Sequence, residues 1–175
     1  MSEEIRVSQG NKEDKYALLY SQIKALIGGE TNLIANMSNT MAAVNMTFDF
    51  LWSGFYIVDH NFSDNNHLDI EVMNSLQLVL GPFQGPVACT RIKYGQGVCG
   101  TAWAKGKSIV VGDVNNFPGH IACSSESRSE IVVPIFDSQN RVRAIIDIDS
   151  KELDTFDSID QKGFEKIATL FSLFF

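Results

Sequence analysis

Apolar positions recur along the chain with a period that changes twice. Tyr16, Leu19, Tyr20, Ile23, Leu26 and Ile27 return every three or four residues, the spacing of one helix face, and Gly28-Gly29 ends the run. Thr31 or Asn32 is placed to cap a second helix, with the stripe Leu33, Met37, Met41, Val44 and Phe48. The helical period then stops. Trp52 to Val58 is aromatic and β-branched, which predicts a strand. The polar stretch that follows, His60 to Ser75, carries one short apolar patch at Ile70 to Met73 and predicts an extended loop or insertion. Strands are expected at Leu76 to Leu80, Ala88 to Ile92 and Ser108 to Val111, with a short helix from Val98 to Lys105. Two more strands, Ile131 to Phe136 and Val142 to Ile148, flank a turn at Asp137-Ser138-Gln139-Asn140. Ser158 and Gln161 have the spacing of a capping box for a last helix, whose apolar face is Phe164, Ile167, Ala168, Phe171 and Phe174. Helices at both ends with strands between them predict an α+β fold, an antiparallel sheet with helices on one face. Residues up to about Glu13 form a loose arm in this reading, and 14–175 form one domain.

Composition narrows the function. Of the 175 residues 45% are apolar, enough for a real core. The net charge of −7 leaves no basic stripe for phosphates, which argues against nucleic acid and against an anionic membrane surface. No apolar run approaches the roughly 20 residues a bilayer span needs. The polar N-terminus, MSEEIRVSQGNKEDK, is unlike a signal peptide, so a cytoplasmic chain is expected, and its cysteines should be free, metal-binding or redox-active.

All three cysteines, Cys89, Cys99 and Cys123, fall between Gly81 and Cys123, a stretch punctuated by turns at Pro82-Gly85-Pro86, Gly95-Gly97 and Pro118-Gly119. The intervals of ten and 24 residues fit no zinc pattern, and no C-x-x-C is present. Thiol redox chemistry fits, because a sulfenic acid on one cysteine condenses with a nearby thiol. Three small buried hydrophobes fit the spacing equally well. His120, three residues before Cys123, is placed either to lower a thiol pKa or to serve as an ordinary loop histidine. The Gly95-x-Gly97 pair lacks the rest of a phosphate loop.

In the last hairpin a period of two puts Val142, Ala144, Ile146 and Ile148 on a core face and Arg143, Ile145, Asp147 and Asp149 on the other. A turn centred on Ser138-Gln139 places Glu130 opposite Asp147. Asp149 lies roughly 7 Å further along the strand. Like charges directly opposite destabilise a sheet, so three acids gathered there suggest a site that binds a cation or holds a proton. The plainer reading is a solvated sheet face. Trp52 and Tyr56 share a strand face and either wall an apolar pocket or belong to the core.

The wording of LVLGPFQGPVAC, YGQGVCGTAW, GDVNNFPGHIAC, SEIVVPI and IIDIDS, in this order, resembles the free methionine-R-sulfoxide reductases, single GAF domains. The resemblance runs from about Leu51 to the last helix. It implies a six-stranded antiparallel sheet with helices on one face and a small closed pocket on the other. It implies reduction of the free amino acid sulfoxide rather than of methionine sulfoxide in proteins. By motif, Cys123 matches the nucleophile, Cys89 the resolving partner, and Cys99 a third cysteine that resolves or relays. Glu130, Asp147 and Asp149 match acidic pocket residues, and Trp52 and Tyr56 the aromatic wall. No metal or organic cofactor is implied. A thioredoxin-type reductant is, and a homodimer is left open. The segment from His60 to Ser75 is longer than the pattern. The rival from another class is a GAF domain that senses a small molecule without chemistry.

Overall fold

The computed structural model describes residues 4–59, 76–121 and 124–175. Helix α1 spans Lys12–Ile27. Asn11 caps it by accepting from the Asp14 amide, and Asp14 reaches back to the Asn11 amide, so two orphan donors are satisfied at once. Ahead of it, the Arg6 amide donates to Gln22 Oε1 at 2.7 Å and Gln22 Nε2 donates to the Arg6 carbonyl at 2.9 Å. Helix α2 (Leu33–Phe48) is capped by Asn32, the second of the two residues expected there. Strands β1 (Trp52–Val58), β2 (Gln77–Gln84) and β3 (Arg91–Lys93) follow, then helix α3 (Gly97–Lys105), strand β4 (Ile109–Val111) and a single 3-10 turn at Val114–Asn116. Strands β5 (Ser129–Phe136) and β6 (Val142–Ser150) form a hairpin, and α4 (Ser158–Thr169) closes the chain. The six strands make one sheet in the order β3-β2-β1-β6-β5-β4, with every neighbouring pair antiparallel. No helix among the described residues is long and apolar enough to cross a membrane.

Each face of the sheet has its own apolar cluster. On one, α1, α2 and α4 cover Phe55, Ile131, Val133, Ile146 and Ile148. The first and last helices are tied by Asp160: Lys12 Nζ lies 2.6 Å from its Oδ2, and the Tyr16 hydroxyl donates to its Oδ1 at 2.9 Å. On the other face, α3 packs against β5, β6 and β3, and Trp52, Tyr56, Val132 and Ile145 meet Val98 and Trp103.

Four local expectations change. β2 runs on to Gln84 instead of stopping at Leu80. Its ladder with β1 slips between Gly54↔Phe83 and Tyr56↔Leu80, so Gly81 and Pro82 sit at an irregularity, where a missing N–H breaks no regular rung. β3 is confined to Arg91–Lys93 rather than Ala88 to Ile92, because the Cys89 carbonyl accepts from the Tyr56 hydroxyl instead of joining the ladder. The capping box of α4 is Asp157–Asp160, one residue before Ser158–Gln161, which also brings negative charge to the helix N-terminus.

The fourth change is the hairpin register. The loop holds three residues, Ser138 to Asn140, with Asn140 in the left-handed region (φ 59°) and its amide donating to the Asp137 carbonyl. The ladder runs Phe136↔Val142 and then Ile135↔Ala144, so Arg143 is an extra residue bulged out of β6. Glu130 is therefore opposite Asp149, and Val132, not Glu130, is opposite Asp147. The offset of two residues keeps all three acids on the expected side. The bulge moves Val142 alone, from the helix-covered face to the other cluster.

Candidate functional site

Opposite the three long helices, α3 together with residues 87–88, 120–121, 124 and 127 lines a cavity over the sheet. One wall is β1. Gly54 makes it possible: a Cβ there would stand 2.3 Å from Trp52 Cη2, so only glycine lets the indole lie flat along the strand. Trp52 stacks on Tyr56 with ring centroids 5.9 Å apart, and on Phe83 at 5.5 Å. Both polar tips are used. Trp52 Nε1 donates to the Pro86 carbonyl at 3.1 Å and the Tyr56 hydroxyl to the Cys89 carbonyl at 2.9 Å. The aromatic wall thus anchors the loop that carries Cys89. Helix α3 enters from the other side. Gly100 lets it press against the preceding turn, since a Cβ there would meet the Lys93 carbonyl oxygen at 2.4 Å.

The floor carries the acids. Glu130 is 5% exposed and Asp147 6%, so the solvated-face reading does not hold. Cys99, in the first turn of α3 and 5% exposed, places Sγ 3.6 Å from Glu130 Oε1. Asp149 accepts a short hydrogen bond from the Ser127 hydroxyl. Asp147 Oδ1 is buried with no hydrogen-bond partner among the described residues. No lysine or arginine is among the described residues lining the cavity.

Burial without a counter-charge sets the protonation. Burial, then the neighbouring Asp147 and Asp149, raises the Glu130 pKa well above the usual carboxylate range. Burial and then Asp149 do the same to Asp147. Asp149 is pushed up to about 6 by burial, with the Ser127 hydrogen bond opposing. The Cys99 thiol is raised well above its ordinary value by burial and then by Asp147 and Glu130. It is a neutral thiol, not a ready nucleophile. Burial lowers the His120 pKa, which favours a neutral imidazole and weakens the case for it as a charged activator of a thiol. The site holds protons beside an aromatic wall and offers negative potential to a cation. Cys99, Glu130 and Asp147 also bring one ligand atom each within 4.8 Å of one another.

Of the eight site residues expected from sequence, the structure gathers Trp52, Tyr56, Cys99, Glu130, Asp147 and Asp149 around this cavity. Cys89 follows the lining residue Ala88 and is disulfide-bonded, while Cys99 is free. Cys123 lies outside the described residues, as does the 60–75 segment. Ser127 was not anticipated. It follows no motif, and only the fold brings it to Asp149.

The sheet order, the helices on one face and the cavity on the other are those of a GAF domain, and residues 41–175 match the GAF domain family. GAF domain-containing protein A of Dictyostelium discoideum is 48% identical over 170 residues, covering 97% of this chain and 98% of that one. Free methionine-R-sulfoxide reductase of Saccharomyces cerevisiae is 39% identical over 165 residues, covering 91% and 85%. The X-ray structure of free methionine-R-sulfoxide reductase from Neisseria meningitidis, in complex with its substrate, superposes with a TM-score of 0.86 at 42% identity, covering 99% of this chain and 95% of that one. The chain belongs to the GAF domain family and, within it, to the free methionine-R-sulfoxide reductases, which are oxidoreductases.

Proposed function

We propose that the chain reduces free methionine (R)-S-oxide to methionine through thiol chemistry, with Cys123 as nucleophile and Cys89 as the resolving thiol. The buried, proton-holding acid cluster facing an aromatic wall carries the reading. The substrate's ammonium goes to the acids, where no lysine or arginine among the described residues competes, and its methyl sulfoxide lies against Trp52 and Tyr56. A methionine sulfoxide inside a protein has an amide where the free amino acid has a charged ammonium, so it forfeits the charged contact.

The Cys123 thiolate attacks the sulfoxide sulfur while Glu130 or Asp147 delivers a proton to the oxygen. Oxygen passes to Cys123 as a sulfenic acid and methionine leaves with the electron pair. The Cys89 thiol displaces that oxygen as water, and a disulfide results. A dithiol reductant of the thioredoxin type opens it, taking the oxidation away. The engagement of Cys89 in a disulfide and the protonated state of Cys99 both support giving these roles to Cys123 and Cys89.

Single-turnover release of methionine tests the assignment. Cys123→Ser should release none, and Cys89→Ser one equivalent before stalling. Release from Cys123→Ser together with none from Cys99→Ser would transfer the nucleophile to Cys99. With racemic free sulfoxide and reductant, consumption should stop at half. A non-catalytic sensor would lose no thiols on adding the sulfoxide, whereas the enzyme loses two.

A further inference from the structure

We propose that Cys99, Glu130 and Asp147 form a binding site for a thiophilic divalent cation of the zinc class. The three ligands come from α3, β5 and β6, so no spacing pattern in the sequence announces them. Their atoms lie within 4.8 Å of one another, and all three residues are buried. Cys99 Sγ stands 3.6 Å from Glu130 Oε1. A tetrahedral zinc with bonds of ~2.3 Å to sulfur and ~2.0 Å to oxygen sets its sulfur and oxygen ligands about 3.5 Å apart. The pair is therefore already at coordination distance.

A second observation points to a cation independently of the cluster. Asp147 Oδ1 lines the cavity, is cut off from solvent and has no hydrogen-bond partner among the described residues. Once ionised, a buried carboxylate oxygen without a donor is costly, and a metal ion would satisfy it. The ligand set also chooses the ion. One thiolate with two carboxylates favours zinc or cobalt over magnesium or calcium, which take oxygen alone. Three protein ligands leave a fourth position facing the cavity.

Binding requires the thiol and both carboxyls to lose their protons, so it should tighten as pH rises. Among the described residues, the other titratable groups facing the site are Asp149 on β6, Tyr56 on β1 and His120 on the loop before residue 121. The cation would take the place assigned above to the substrate's ammonium. The cation site itself stands on geometry alone, while this competition rests on the proposed substrate pose.

The protein oxidised at Cys89 is the form to test, because Cys99 is free and the sulfoxide is not turned over. Cobalt(II) alone serves as the probe, since a bound thiolate gives a charge-transfer absorption that carboxylates do not. One equivalent should bind with that band and be displaced by zinc(II). The band should vanish in Cys99→Ser, and Asp147→Asn should bind at least about tenfold more weakly, because even outer partners of metal ligands change affinity that much. Unfolding midpoints close to the parent's show that both variants are folded. Absence of the band in the parent, or an equal band in Cys99→Ser, overturns the site. Free methionine sulfoxide should raise the apparent Kd for cobalt. An unchanged Kd beside an intact band overturns the overlap with the substrate and leaves the cation site standing.

Discussion

The two faces of the sheet are built from the same strands and obey opposite rules. On the helix-covered face, Phe55, Ile131, Val133, Ile146 and Ile148 belong to an apolar cluster built with α1, α2 and the C-terminal segment, including Phe164 and Phe171. One residue further along the same strands, Glu130, Asp147 and Asp149 crowd together with no lysine or arginine beside them among the described residues. The first face keeps its few buried polar groups, such as Asp160 with Lys12 and Tyr16, out of any like-charge contact. The second keeps a like-charge conflict and relieves it with protons. Stability and chemistry thus share strands while depending on separate residues, and the period of two in a β-strand makes the division possible.

The largest expected effect breaks the helix side alone. Phe164→Ala should cost about 3–5 kcal/mol of stability, the usual range for deleting a buried phenyl, with kcat/KM per folded molecule kept. Urea unfolding and activity on the same sample check it. A fall in kcat/KM of the folded fraction would mean that the faces are coupled.

On the acid side the sign reverses. Glu130→Gln or Asp147→Asn removes like-charge repulsion, so stability should hold or rise while kcat/KM falls by roughly 10²-fold, the scale of general acid catalysis. Values within a few-fold of the parent would leave the cysteines to do the chemistry without these acids.

A smaller effect belongs to the wall between them. Gly54→Ala puts a Cβ 2.3 Å from Trp52 Cη2 and 2.7 Å from Phe83 Cβ, and overpacking of this kind costs about 1–3 kcal/mol. KM should rise more than kcat falls. An unchanged KM would show that Trp52 does not hold the substrate.

The smallest effect is one of pH. Asp149 titrates at about 6 in the fold against 3.8 as an isolated group, so the folded chain binds the extra proton in between. The cost of its charge is present above about pH 6 and fades as pH falls toward 4, so this group makes the protein more stable on acidification. His120, lowered from 6.5, acts in the opposite sense as pH falls through that value. Asp137 and Asp157, held below 3.8, lose their contribution only below this window. The urea midpoint should therefore gain more between pH 7 and 5 in the parent than in Asp149→Asn. An equal gain would show that Asp149 is not the group responsible.

Much of this division was legible in the sequence, for one physical reason. Alternation assigns residues to faces whatever their register, so Glu130, Asp147 and Asp149 were grouped correctly even with the pairing displaced by two. Helix stripes such as Leu33, Met37, Met41 and Val44 are likewise local facts. What escaped depends on single backbone choices. Asn140 takes the left-handed conformation, Arg143 bulges and Pro82 rides inside an irregular strand, and none of these changes the apolar pattern around it. The approach of Cys99 to Glu130 and Asp147 escaped for a different cause, since it depends on where α3 settles across the sheet.

The bulge at Arg143 bears on how this chain tolerates changes of length. The pairing of Asp137 with Arg141 and the one extra residue in β6 together decide which way Asp147 and Asp149 point. Pairing Ile135 with Arg143, so that the bulge was ironed out without shortening the chain, would turn both carboxylates toward Phe55 and the long helices, where nothing could bind them. A residue deleted from the loop leaves Asp137 paired with Arg141 and the carboxylates where they are. A single-codon deletion in the turn or at Arg143 should consequently be absorbed, whereas one between Ala144 and Asp147 would reverse the acids, so the less forgiving part of this hairpin is the buried strand beyond the bulge.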